Sequence, residues 1–161
     1  MTVATLPGEG APSVEALMRA NVNPATGLAT DYLNHFNEVV MLIEMAADMP
    51  DLAEDVLAWR PCGYEAHFEH THYTGKDVAI AAWRAAPSDV RTRFEALVTA
   101  LDAALAAAQD AVRAGDFTKA RRLAESDVEP LLAAARACAN GRSEAGEEQS
   151  AAQAGVDALF G

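Results

Sequence analysis

Three of the chain's four histidines fall within six residues, where together they could bind a metal ion. They are His67, His70 and His72, with Glu65 and Glu69 beside them. Neutral imidazoles and carboxylates are the ligands that helical bundles use for iron or zinc. However, ferritin-like sites need paired Glu-x-x-His motifs on separate helices, and no such pair is present. We therefore predict no metal, and keep the three histidines as an alternative metal site.

A second group combines two acids, an amide and an imidazole. Its members are Asp31, Asn34, His35 and Glu38. At 100° per residue, these side chains fall within about 100° of one another on a helix. Leu42 and Met45 continue the same stripe, so the group does not lie on the obvious solvent face. Such a group either carries chemistry or forms a hydrogen-bond network between helices, and both interpretations stay open.

The elements that must position these residues are helices. Alanine is very common, aromatic residues make up 6% of the chain and runs of β-branched residues are nearly absent, which favours an all-α fold. Four helical stretches are predicted upstream of residue 88. They run from about Leu28 to Asp48, from a cap at Asp51 to before Pro61, from Tyr64 to a break at Thr74–Gly75, and from Asp77 to Ala86.

The clearest pattern is a long helical hairpin over residues 88–139. A helix capped by Ser88 would be about 39 Å long. Gly115 would end this helix, and Asp116 would cap the next one. The returning helix contains a proline, so we expect a kink or restart near Ser126. The apolar face of the first helix consists of Val90, Phe94, Leu97, Leu101, Leu105, Ala108 and Val112.

Charge and apolar patterning exclude several classes of function. The formal net charge of −12 argues against binding to nucleic acid or to an anionic membrane surface. The chain has no run of eighteen apolar residues that would predict a transmembrane helix, and residues 1–12 lack the pattern of a secretory signal. Cys62 and Cys138 are isolated, so we expect free thiols in a reducing cytoplasm.

The last twelve residues form a short amphipathic segment that follows a polar stretch. So short a helix is not stable alone in water, and it needs either a partner or the chain's own core. We predict a docking peptide, with a last helix packed on its own bundle as the alternative. If the segment is helical, one face carries Ala152, Val156, Leu159 and Phe160, with Gln153 and Asp157 beside it.

Residues 153–160, Gln-Ala-Gly-Val-Asp-Ala-Leu-Phe, resemble the S-Q-x-x-I-D-A-L-hydrophobic segment with which the flagellar switch protein begins. More loosely, they are similar to the C-terminal helix of the chemotaxis phosphatase (the CheZ family). Both families use this segment to bind a response regulator of the CheY type, so the resemblance implies a CheY-like receiver domain as partner. The match covers about eight of 161 residues, and Gly155 departs from it, since both families carry a charged or polar residue there. The residues carried over are Gln153, Val156, Asp157, Leu159 and Phe160.

The same resemblance implies a candidate chemistry, which is hydrolysis of the receiver's aspartyl phosphate. In the chemotaxis phosphatases, an amide orients the attacking water and an acid on the same helix engages the receiver's lysine. Asp31-x-x-Asn34 resembles their Glu-x-x-Asn pair, whereas Glu38 would stand where their other arrangement requires an amide. A Mg²⁺ ion would belong to the receiver, so no cofactor of this chain is predicted. Whether the chain is an enzyme stays open.

These patterns divide the chain into four segments. We predict a mobile N-terminal arm over 1–27, a helical bundle over 28–139, a flexible acidic linker over 140–149 and a docking segment over 150–161. The predicted function is that of a cytoplasmic, chemotaxis-type signalling adaptor. A metal-binding bundle and a structural interaction protein whose tail packs on its own core are the alternatives. Ala-rich hairpins often complete a four-helix bundle by dimerising, so a homodimer also stays open.

Overall fold

A computed structural model describes residues 11–71 and 75–141 of the chain. Within these ranges the fold is an all-α helical bundle without β-strands, which confirms the predicted fold class. No helix in the same ranges combines the length and the apolarity needed to cross a bilayer. The helices are α1 (Val14–Arg19), α2 (Asn34–Ala46), α3 (Ala53–Ala58), α4 (Tyr64–Glu69), α5 (Lys76–Ala85), α6 (Ser88–Arg113), α7 (Phe117–Leu123) and α8 (Glu129–Ala139).

Helix α6 is the longest element and forms the predicted hairpin with α7 and α8, against which it packs. Its 26 residues span about 39 Å. The predicted apolar face points into the core. Phe94, Leu101, Leu105, Ala108 and Val112 are buried, while Val90 and Leu97 are half-buried at the face's edge. The hairpin is therefore held by a continuous apolar seam.

The turn between α6 and α7 is a Schellman motif. The Asp116 N–H donates to the Ala111 carbonyl at 2.8 Å, and the Gly115 N–H donates to the Val112 carbonyl at 2.9 Å. Gly115 has a φ of +80°, a conformation that glycine adopts without steric cost. The Asp116 side chain then accepts from the Lys119 N–H at 3.1 Å and caps α7. Both predicted roles in this turn are confirmed.

Two other predicted caps are wrong. Pro87 occupies the N-cap position of α6 and Ser88 is already the first helical residue, so no side chain caps this helix. Asp51 lies inside a 3₁₀ turn, Pro50–Leu52, that leads directly into α3 without a capping side chain. In both places a proline sets the φ angle for the helix start, which replaces the polar cap.

Between α7 and α8 the chain forms a π-helical segment, Ala124–Val128. Pro130 is the second residue of α8 and lacks the N–H that a regular helix would use. The widened segment accommodates this loss one turn before the proline, while Ala124 and Val128 stay buried. The restart expected near Ser126 thus occurs as a π-helical segment.

The described part of the predicted N-terminal arm, residues 11–27, differs from the expectation of a mobile segment. Ser13 caps α1 by accepting from the Ala16 N–H at 3.1 Å. Leu17 and Val22 are buried in the core, and Val22 pairs with Ala29 in an isolated antiparallel bridge. The prolines and glycines of this region favour a mobile segment, although Leu17 and Val22 are buried. Residues 13–22 therefore pack on the bundle.

Candidate functional site

The predicted polar group lies where α2 begins, opposite α4. A 3₁₀ turn, Thr30–Leu33, carries Asp31 and leads into α2. The Asn34 amide donates to Asp31 Oδ1 at 3.3 Å, and His67 Nε2 of α4 lies 3.3 Å from Asp31 Oδ2. The His67 side chain is only 13% exposed, whereas that of Asp31 is 33% exposed. The Asp31 carboxylate thus joins the amide to the imidazole at the protein surface.

His35 lies beside this group but makes different contacts. Its Nε2 is 2.9 Å from the Arg60 carbonyl, which can only accept, so Nε2 carries the proton. Its ring stacks on Trp59 with centroids 4.7 Å apart, and the Trp59 indole donates to the His35 carbonyl at 2.9 Å. Burial lowers the pKa of His35 below its usual value, and nearby His67 acts in the same direction. His35 therefore anchors the loop after α3 as a neutral ring.

The candidate catalytic residues are only partly brought together. Asp31 and Asn34 are hydrogen-bonded, and the Asn37 amide donates to Asn34 Oδ1 at 3.4 Å. Glu38 is exposed one turn further along α2. Glu38 and Asn34 line the same surface groove, and the α2 residues that follow Glu38 in this groove are apolar. The geometry is that of an acid–amide pair with a separate carboxylate beside it.

The alternative metal site is not assembled by the described residues. His67 faces Asp31, and His70 ends α4 as an exposed residue. His72 lies outside the described residues. Among residues 11–71 and 75–141, no group of three or more histidine, cysteine or acidic side chains could hold a metal ion.

An open groove of about 830 Å³ lies between α2 and the α3 segment. Its α2 wall begins with the polar residues at 34–38 and continues with Met41, Leu42 and Met45. Met41 is 58% exposed and Met45 is 41% exposed, which is unusual for large apolar side chains. The opposite wall comprises Asp55, Ala58, Trp59 and Arg60. We call this feature the α2–α3 groove.

The sequence pattern predicted the polar residues at one end of this groove but not the groove itself. The available signal was the spacing of Met41, Met45 and Met49, which recur every four residues along one helical stripe. All three are exposed. Since a core stripe has the same spacing, the sequence alone could not show that this one faces outward.

A half-buried glutamine, Gln109, holds the α3 wall of the groove in place. The Gln109 amide of α6 donates to the Val56 carbonyl at 2.9 Å and to the Trp59 carbonyl at 3.0 Å. These carbonyls lie at the end of α3, where Val56 also accepts from the Trp59 N–H at 3.3 Å and Trp59 also accepts from the Arg60 guanidinium at 3.0 Å. Arg121 similarly donates to the Glu44 carbonyl at 2.6 Å near the end of α2. The hairpin thus positions both walls through polar contacts.

The predicted docking residues, Gln153, Val156, Asp157, Leu159 and Phe160, lie outside the described residues, as do the linker positions from 142 onward. Their helical form and their contacts stay predictions. No family model, curated protein or solved structure matches this chain.

Proposed function

We propose that the chain is a signalling adaptor that binds a CheY-like receiver domain through residues 153–160. The observation that carries the proposal is the pattern of these residues, with Gln153, Asp157, Leu159 and Phe160 at the positions of a known receiver-docking segment. In such a complex, Leu159 and Phe160 would enter an apolar groove of the receiver, as amphipathic peptides commonly do. Gln153 and Asp157 would fix the orientation of the peptide.

The architecture of the bundle supports a tethered peptide. Helix α8 ends at Ala139, whose carbonyl accepts from the Thr26 hydroxyl at 2.7 Å. This hydrogen bond fixes the last residue of α8, shortly before the polar stretch that starts at residue 142. A peptide joined to a folded domain by a short connection raises the local concentration of its partner near that domain.

Binding of a synthetic peptide tests the proposal directly. A fluorescein-labelled peptide covering residues 147–161 is titrated with CheY-like receivers, each with and without beryllofluoride as the phosphoryl mimic. We expect saturable binding that tightens with beryllofluoride and weakens at least tenfold on Phe160→Ala, because a central aromatic anchor is lost. Gln149→Ala, outside the motif, is the matched control. Absence of binding at high micromolar concentration, or an unchanged affinity of Phe160→Ala, would refute the proposal.

A second candidate function is dephosphorylation of the bound receiver, favoured by the hydrogen-bonded pair of Asp31 and Asn34. In this reaction a water oxygen attacks phosphorus, the bond from phosphorus to the aspartyl oxygen breaks, and the water's proton is released. Asn34 would orient the water in line, and Asp31 would engage the receiver's lysine. Glu38 would contribute no water contact, because its charge repels the phosphoryl group.

Single-turnover dephosphorylation of a receiver measures this second function. We expect the full chain to accelerate the reaction and Asn34→Ala to abolish the acceleration, while receiver binding persists. Asn37→Ala is the matched control, since it removes a neighbouring amide on the same helix. An equal loss in both variants would assign the effect to their mutual hydrogen bond and overturn the proposed role of Asn34.

A further inference from the structure

The α2–α3 groove exposes an apolar stripe that nothing in the described part of the chain covers. Its wall from Asn34 to Met45 is about 16 Å long at the helical rise per residue. Methionine side chains are flexible and polarizable, and they suit surfaces that accept an amphipathic helix. An eight-residue helix is about 12 Å long, so one fits the length of this wall.

The folded domain ends close to the polar end of the groove. Gly141 lies against the turn at 25–26, since a Cβ at Gly141 would be 3.5 Å from the Thr26 Cγ2 atom. From Thr26 to Thr30 the chain spans at most about 14 Å, and the 3₁₀ turn to Asn34 adds about 8 Å. With about 8 Å more from Gly141 to Thr26, Asn34 lies within about 30 Å of the point where the chain leaves the bundle.

The chain beyond this point is long enough to reach the groove. The twelve residue steps from Gly141 to Gln153 reach about 40 Å when extended, which exceeds this span of about 30 Å. The segment that follows, residues 153–160, has the amphipathic pattern that the groove requires. Because the connection exceeds the span without being much longer, the effective concentration of the segment at the groove is high.

The apolar face of the segment matches the apolar part of the groove. Val156, Leu159 and Phe160 supply an apolar face for the methionine stripe. Arg60 is the one cationic side chain of the groove lining, which also carries the carboxylates of Glu38 and Asp55. The Arg60 guanidinium already donates to the Leu57 and Trp59 carbonyls at 2.6 and 3.0 Å, so apolar contacts, not charge, carry the match.

We propose that the α2–α3 groove binds the chain's own segment 153–160 and thereby withholds it from a partner. Docking places Leu159 and Phe160 against Met41 and Met45. The consequence for signalling rests on the proposed function, because the same apolar side chains would bind the receiver. Receiver binding then requires release from the groove, and the bundle restrains its own docking peptide.

Methyl NMR of the full chain tests the docking step without any partner. The methyl resonances of Met41 and Met45 are compared between the wild type and the double variant L159A/F160A. We expect both resonances to move, since the Phe160 ring no longer lies beside them, and Met18 to stay unchanged. Met18 is an internal control, because it is 64% exposed on α1. Unchanged Met41 and Met45 resonances would overturn the proposal, as would positions that depend on protein concentration, which indicate docking between two copies.

Receiver affinity tests the restraint separately. Met41→Ala with Met45→Ala removes groove contacts at exposed positions and leaves residues 153–160 intact, with Met18→Ala as control. If the groove holds the segment in nine molecules of ten, release tightens receiver binding about tenfold. Unchanged or weaker binding of the double variant would overturn the restraint. Failure of every form to bind a receiver removes the proposed function alone, since the methyl shifts report docking without it.

Discussion

The hairpin of α6, α7 and α8 and the α2–α4 face of the bundle are stabilised in different ways. The hairpin buries a regular series of apolar side chains, and its turn is satisfied by contacts between residues close in sequence. The α2–α4 face depends on contacts between residues far apart, such as His67 with Asp31 and Gln109 with Trp59. Local patterns therefore specify the hairpin, whereas the face depends on contacts between distant parts of the chain.

This difference separates stability from recognition. The free energy gained by apolar burial is roughly proportional to the area buried, and in a packed seam the loss of even one methylene group is destabilising. The face instead leaves polar and apolar side chains accessible, with Asn34, Glu38 and Met41 all exposed. We expect substitutions in the hairpin to change the free energy of unfolding, and substitutions on the exposed face to change binding. The predictions below test this division in order of decreasing effect.

The largest effect is expected for Leu101→Ala in the hairpin seam. Leu101 has no exposed surface, so truncation loses transfer free energy and leaves a cavity. We expect the free energy of unfolding to fall by about 2–5 kcal/mol. Urea denaturation followed by circular dichroism measures it. Thr99→Ala on the exposed side of α6 is the control, and a cost for Leu101→Ala no larger than the control's would contradict a packed seam.

A smaller loss is expected for Gln109→Leu, which links the hairpin to the face. Leucine has a similar volume but cannot donate to the Val56 and Trp59 carbonyls. Because two hydrogen bonds worth about 0.5–1.5 kcal/mol each are lost, we expect a loss of about 1–3 kcal/mol in urea denaturation. Trp59 fluorescence should also change, since its backbone loses a contact. Asp110→Asn, at the next position and highly exposed, should stay within about 0.5 kcal/mol of the wild type. Equal stability of both variants would show that Gln109 does not hold the groove wall.

Gly115→Ala is expected to cost about 1–2 kcal/mol, because an L-residue is strained at a φ of +80°. Gly63→Ala is a matched control on the α4 side. Gly63 has a φ of −72°, and a Cβ there meets nothing within 4 Å. Alanine at 63 should therefore be neutral or slightly stabilising. Thermal unfolding distinguishes the two variants, and equal midpoints would contradict the left-handed turn.

The hairpin and the α2–α4 face also differ in how far the sequence predicts them. The end of α6 and the roles of Gly115 and Asp116 follow from local spacing and turn chemistry, and the structure agrees with them. The partnership of His67 with Asp31 joins residues 36 positions apart, and no local pattern encodes it. The outward orientation of Met41 depends on what packs beside α2, because exposed and buried stripes share one spacing. The burial of Leu17 and Val22 was missed because a six-residue helix flanked by turn residues has no apolar periodicity long enough to indicate packing.

The smallest expected effect is a pH dependence of stability carried by His35 on the α2–α4 face. Burial lowers its pKa in the folded protein below the value of about 6.5 expected for the unfolded chain. Below pH 6.5 the unfolded state therefore binds more protons than the folded state, and stability falls as the pH falls. One such group contributes at most about 1.4 kcal/mol per pH unit.

His35→Gln removes this titration while retaining a side-chain donor for the Arg60 carbonyl. Urea denaturation of both proteins between pH 7.5 and 5.5 gives the difference in their free energies of unfolding, in which the contributions of other groups cancel. We expect the wild type to lose stability relative to the variant as the pH falls. A difference independent of pH would show that burial does not hold His35 neutral. The contacts of His35 beneath the α2–α4 face would then contribute less to the stability of that face than we infer.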